Sequence, residues 1–264
     1  MPTVVTTIKA LNRMIPEFLD EFKDELEKFK LESIKINAIS ISDNESLTIT
    51  QSKFSGKPYL PITREYPKDK LGNPMILLAQ INFKEVPQLE NYPTDGILQF
   101  FVSATEWYDM SDYKILFHKT IENEYQTDFS FLTEKLYEES PVYCEHKLTF
   151  KKNVEYGGYQ DFRFDMDFHG ESYYEFQERL TREQKAEMDD ILDGIGHKIG
   201  GYAYFTQSDA RDYNEKQRDD ILLLQIDTDE EIMFGDSGVG NLFINPKSLR
   251  EKDFDKAWFH WDCC

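Results

Sequence analysis

Apolar and polar positions alternate along this chain in two rhythms, and each rhythm predicts a different element. Behind Pro16, which can open a helix at its first turn, Phe18, Leu19, Phe22, Leu26 and Phe29 recur at helical spacing. The opposite face is crowded with Glu, Asp and Lys, whose i,i+4 pairs support a helix, so an N-terminal amphipathic helix is predicted. From Ile34 the rhythm shortens to two. Ile34, Ile36 and Ala38 alternate, Ser42-Asp43-Asn44-Glu45 reads as a turn, and Leu47 and Ile49 continue as a strand. Met75 to Ile81 is an apolar run broken only by Gln80, behind Gly72-Asn73-Pro74, and predicts a buried strand. Another follows from Ile97 to Val102 after Asp95-Gly96. Phe162, Phe164, Met166 and Phe168 alternate with Arg163, Asp165 and Asp167, the pattern of a half-buried strand. Thr181 and Gln184 have capping-box spacing, Ala186, Ile191 and Leu192 support a second helix near 182–194, and Gly194 ends it.

The pattern also repeats. With Lys53 set on Lys198, the two segments run without a gap: Gly56 meets Gly201, Tyr59 meets Tyr204, and Ile76-Leu77-Leu78 meets Ile221-Leu222-Leu223. Gln80-Ile81 meets Gln225-Ile226, and Asn82 meets Asp227. After a short deletion, Gly96, Phe101 and Val102 meet Gly238, Phe243 and Ile244. Shared order constrains more than shared composition, so the expectation is one domain over 1–264 with internal repeats at about 53–102 and 198–244. The fold class expected is α+β, β-dominated, with roll-like antiparallel sheets. In each repeat, Lys-apolar-x-Gly ends an element and lets the backbone turn at positive φ. A buried Gln80 or Gln225 needs hydrogen-bond partners. With Tyr59 and Tyr204, these glutamines are the residues expected to line a ligand site where the repeats meet.

Composition narrows the function classes. Lys and Arg number 30 against 50 Asp and Glu, a formal net charge of −20. That field repels phosphate backbones and anionic lipid heads, which argues against nucleic-acid and membrane partners, and it speeds encounter with a basic protein. Aromatics at 14% favour pleated surfaces. No run reaches the roughly 18 apolar residues of a membrane span. The start, Met1-Pro2-Thr3-Val4-Val5, lacks a secretory pattern. Cys144, Cys263 and Cys264 form no spaced framework, and reduced thiols in a cytoplasm are expected.

Few residues suggest chemistry. Gly235-Asp236-Ser237-Gly238 spells a serine-protease nucleophile motif, but no histidine sits in the setting that family uses, and a turn accounts for it. Asp227 to Glu231 resembles a calcium loop, yet Ile232 and Gly238 occupy the places of the required Gly and Glu; a solvated acidic loop is expected. Cys144, His146, His260, Cys263 and Cys264 offer zinc-type ligands at spacings that match no standard site. Gly194-Ile195-Gly196 lacks the third glycine of a dinucleotide loop. No catalytic residue, metal or cofactor is assigned. Trp107-Tyr108 and Tyr173-Tyr174 read as core or rim aromatics.

Pro74 to Phe83, Tyr92-Pro93, Gly96 to Phe101, Gly201-Tyr202, Phe205-Thr206-Gln207, Leu222 to Asp227, Gly235 to Gly238 and Trp261-Asp262-Cys263 together resemble the YwqG-like family of bacterial proteins. The resemblance implies a mainly β, roll-like core with flanking helices, a cytoplasmic location and no established function or site residues. Ala210 departs from the proline that relatives often carry before the arginine, here Arg211. Two functional expectations follow: a non-enzymatic interaction protein that neutralises a basic effector, or an enzyme or small-ligand binder with its site between the repeats.

Overall fold

The computed structural model describes residues 15–42 and 45–264. Ten strands build one antiparallel sheet: β1 (Leu31–Ser40), β2 (Lys53–Phe54), β3 (Ile76–Asn82), β4 (Ile97–Val102), β5 (Tyr113–His118), β6 (His146–Glu155), β7 (Lys198–Gly200), β8 (Ile221–Ile226), β9 (Val239–Ile244) and β10 (Trp258–Asp262). Their order is β10-β9-β8-β7-β1-β6-β2-β3-β4-β5. The long antiparallel pair β1 and β6, in register from Leu31↔Glu155 to Ser40↔His146, stands at the centre. On each side of it hangs a four-strand arm, β2 to β5 or β7 to β10.

The sheet curls until its edges face each other, nearly closing a barrel. Phe100 and Phe259 lie 4.9 Å apart, Trp107 and Trp261 4.8 Å, and Phe117 and Phe254 4.5 Å. All ten strands contribute to one enclosed apolar cluster. Side chains alternate in and out of it, so Leu98, Phe100 and Val102 point inward while Gln99 and Phe101 face the outer layer. Matching bulges break the alternation, between Leu77 and Ala79 in β3 and between Leu222 and Leu224 in β8. Each bulge turns two successive residues inward, Leu78-Ala79 and Leu223-Leu224, and sends the next glutamine to the outer face. The fold is thus β-dominated α+β, as the pattern predicts, but with one continuous sheet.

A second apolar cluster lies outside the sheet. It joins Leu19, Phe22 and Leu26 to Phe164, Met166 and Phe168 and to two helices, α2 (Tyr173–Glu178) and α3 (Arg182–Leu192). Both helices carry complete capping boxes, Ser172 with Glu175 and the predicted Thr181 with Gln184. Asp193 caps α3, and Gly194 at φ +68° turns the chain away. A further helix, α4 (Pro246–Glu251), starts at the cap Asn245.

Three predicted elements differ. The N-terminal segment is helical but broken: a 3-10 turn (Glu17–Phe22), one α turn, α1 (Lys23–Leu26), and a 3-10 turn (Glu27–Phe29), none with a side-chain cap. Residues 162–168 are not a strand. Asp161 folds them into a turn, with Phe164 N donating to Asp161 O; Phe164, Met166 and Phe168 pack on the helical segment, Phe162 lies under Arg211 and Arg218, and no strand among the described residues pairs with them. Leu47 and Ile49 form no strand either, because the backbone oxygens of Ile49, Thr50 and Gln51 accept from the side-chain amides of Gln80 and Asn82. Of the turn at 42–45, Asp43 and Asn44 lie outside the described residues.

Candidate functional site

The residues singled out by the repeat fall into two pairs, one in each arm. In the first, Gln80 Oε1 accepts from Tyr59 N at 2.8 Å, and its Nε2 donates to Ile49 O and Gln51 O. In the second, Gln225 Oε1 accepts from Tyr204 N at 2.8 Å, and its Nε2 donates to Gly194 O and Gly196 O. Each glutamine thus clamps two loops onto its strand. Four strands separate β3 from β8 in the sheet. Tyr59 is fully buried, its hydroxyl accepting from Glu122 N at 2.7 Å. Tyr204 is half-buried, and burial, aided by Tyr159 and Asp227, pushes its hydroxyl up to about 12.

The repeated Lys-apolar-x-Gly has a specific use. Lys53 Nζ lies 3.0 Å from Glu145, and Lys198 Nζ 3.1 Å from Glu155. The glycine three residues on, Gly56 at φ +80° or Gly201 at φ +76°, passes so close that a Cβ would sit 2.4 or 2.5 Å from the same carboxylate. Lysine and glycine therefore grip one glutamate together.

An open groove of about 690 Å³ lies beside the first of these pairs. Leu47, Ile49, Leu132 and Tyr137 supply apolar lining, and Glu45, Glu134, Glu138 and Lys57 supply charged lining. Cys144 also lines it. The Cys144 Sγ is 3.9 Å from His146 Nε2, whose Nδ1 donates to Cys144 O, so the thiol faces the ring's lone pair. Burial, with Glu231 and Asp229 adding to it, pushes the Cys144 thiol up, which keeps it protonated and a poor nucleophile. Burial also lowers the His146 imidazole.

Beyond His146, His197 Nδ1 accepts from Asp227 N at 2.9 Å, which leaves its proton on Nε2, 3.1 Å from Asp229. The 227–231 segment is therefore not simply solvated: Asp227 is buried, accepting from Gly196 N and Thr228 N. His260 and Cys263 line a separate groove, and among the described residues no three His, Cys, Asp or Glu side chains are placed to hold a metal ion. The Gly235–Gly238 segment is a tight turn, with Gly238 N donating to Phe234 O.

Sequence reasoning missed Glu145, Glu155 and the buried Arg211. That guanidinium lies between Asp209 and Asp161 at 2.5 and 2.9 Å, over the Phe243 ring. Burial alone would raise the Asp161 carboxyl, but Arg163 and Arg211 outweigh it and hold it well below the carboxylate range. The Asp-x-Arg spacing shared by Asp161/Arg163 and Asp209/Arg211 was the available signal.

Among the described residues no helix is long and apolar enough to cross a membrane. No curated protein matches the chain. Residues 52–263, which carry both arms and both lysine–glutamate pairs, match the model of a domain of unknown function, DUF1963, and the chain belongs to that family.

Proposed function

We propose that this protein is a non-enzymatic binding module of the cytoplasm, which neutralises a basic partner protein by taking a cationic segment into the groove beside Cys144. The observation that carries this reading is the groove's imbalance. Lys53 is already paired with Glu145, which leaves Glu45, Glu134 and Glu138 against Lys57 among the described charged residues that line the groove. An apolar lining with net acidic charge suits a chain that mixes lysine or arginine with apolar side chains. The formal charge of −20 steers such a partner from a distance. The raised thiol at Cys144 supports a binding role over nucleophilic chemistry. The matched hydrogen bonds of the two arms support descent from one duplicated unit within a single domain.

Isothermal titration with a peptide of alternating lysine and leucine tests the proposal. Binding at low salt should weaken steeply towards about 0.15 M ionic strength, where screening acts within about 8 Å. Reversing charge with E134K and E138K together should weaken it at least about tenfold, or about 1.4 kcal/mol. No heat at low salt, or heat unchanged by the double variant, would sink the idea.

A further inference from the structure

The outer faces of the two arms carry the same amide device with different partners. In the first arm Gln99 Nε2 donates to Tyr59 O, and its Oε1 meets His118 Nε2 at 2.8 Å. In the second, Asn241 Nδ2 donates to Tyr204 O at 2.9 Å, but Asn241 Oδ1 has no hydrogen-bond partner among the described residues. Register explains the difference. His118 stands two residues beyond Leu116, the cross-strand neighbour of Gln99, and Asp262 stands two beyond His260, the neighbour of Asn241. An N–H donor in one arm is replaced by an acceptor in the other.

Asp262 is only 7% exposed. Its Oδ2 accepts from Gln207 N at 2.9 Å, and its Oδ1 has no partner among the described residues. Thr206 Oγ1 and His260 Nε2 are buried and, among the described residues, unpartnered as well. The nearby Arg211 is committed to Asp209 and Asp161, and Asp262 has no ion pair among the described residues. Burying a carboxylate without a cation, beside further unmet acceptors, is costly unless something donates to them. Burial lowers the His260 imidazole against the opposing pull of Asp262, so at neutral pH the ring is uncharged and can offer a lone pair.

We propose that Asn241 Oδ1, Asp262 Oδ1, Thr206 Oγ1 and His260 Nε2 form a binding site for a primary ammonium group, reached from the open groove of about 480 Å³ lined by Gln207, His260, Asp262 and Cys263. An –NH₃⁺ head carries one charge and three donors, which match the Asp262 carboxylate, Asn241 Oδ1 and the His260 lone pair, while the Thr206 hydroxyl can donate as well as accept. Hard metal cations prefer an all-oxygen shell and, when divalent, several carboxylates, whereas an imidazole nitrogen accepts readily from N–H. This site is separate from the groove beside Cys144 and stands without it.

Methylammonium chloride is the probe, with sodium and potassium chloride at equal ionic strength as controls. Methylammonium should raise the Tm saturably and shift the His260 ring resonance, leaving the exposed His169 unmoved, while the alkali salts do neither. D262N should abolish both responses. No saturable response, an equal response to potassium, or an undiminished response in D262N would overturn the proposal. Should D262N fail to fold, N241A and the wild-type His260 resonance decide. A blocked lysine, Nα-acetyl-lysine methylamide, binding more tightly than methylammonium assigns the ammonium to a protein side chain; equal binding assigns it to a free amine.

Discussion

Lys53 and Lys198 are almost wholly buried, and each survives there because a glutamate has been brought to it from β6 or its edge. Glu155 is the more enclosed partner: it also accepts from Ser33 Oγ at 2.6 Å and Tyr202 N at 2.8 Å. Removing it strands an ammonium in the interior, so Glu155→Ala should cost about 3–5 kcal/mol in urea unfolding. Glu32→Ala, which removes an exposed partner 3.7 Å from Lys152, should change stability by less than about 0.5 kcal/mol. Gly56→Ala should destabilise by more than about 1 kcal/mol, since it meets both a positive φ and the Glu145 carboxylate. Histidine supplies a pH test. Burial, with Arg64 adding to it, holds His118 at about 4 against an ordinary 6.5. The unfolded chain then takes up the proton first as pH falls, so the His118 contribution is complete above 6.5 and is lost between 6.5 and about 4. Between pH 6.5 and about 5, wild type should lose up to about 2 kcal/mol more than H118Q, read from urea midpoints at each pH.

At the level of elements, local signals told most where the chain satisfies its own backbone. The α3 capping box was visible as Thr181 and Gln184, and Thr181→Ala should cost about 1 kcal/mol, measured by thermal unfolding. The runs at β3 and β4 were visible because burial on both faces leaves them apolar except at Gln80, Asn82 and Gln99. Elsewhere distant groups decided. Period-two alternation over Phe162 to Phe168 reports an extended chain with one buried side, and nothing in it says whether a strand lies alongside. The loop at Leu47 to Gln51 lost its strand to side-chain amides 29 to 32 residues away in sequence, at Gln80 and Asn82. β6 carries charged residues on its open side, and its pairing with β1 depends on a partner more than a hundred residues off, so no local pattern announces it. For the candidate sites, the cysteines and histidines drew notice as residue types. The asymmetry between Gln99/His118 and Asn241/Asp262 appears only once register is known.

At the scale of the whole molecule, one sheet of ten strands carries two arms with different outer faces. The acidic groove beside Cys144 belongs to the arm of β2 to β5, and the unmet acceptors around Asp262 belong to the arm of β7 to β10. Charge reversal at Glu134 and Glu138 should leave the methylammonium response intact, and D262N should leave peptide binding intact; titrating each variant with both probes checks this independence. The edges meet through rings, so Phe259→Ala, which removes the neighbour of both Phe100 and Tyr113, should cost about 3–5 kcal/mol and loosen the closure.

The central position of β1 has an outcome for how the chain comes to be folded. This strand precedes the family-matched stretch, yet it is the plank between β7 and β6. It leaves the ribosome ahead of both neighbours and must wait for more than a hundred residues before either exists. A fragment trimmed to 52–263 would present two raw sheet edges where the intact protein has a continuous one, and it should self-associate in sedimentation experiments while the full chain does not.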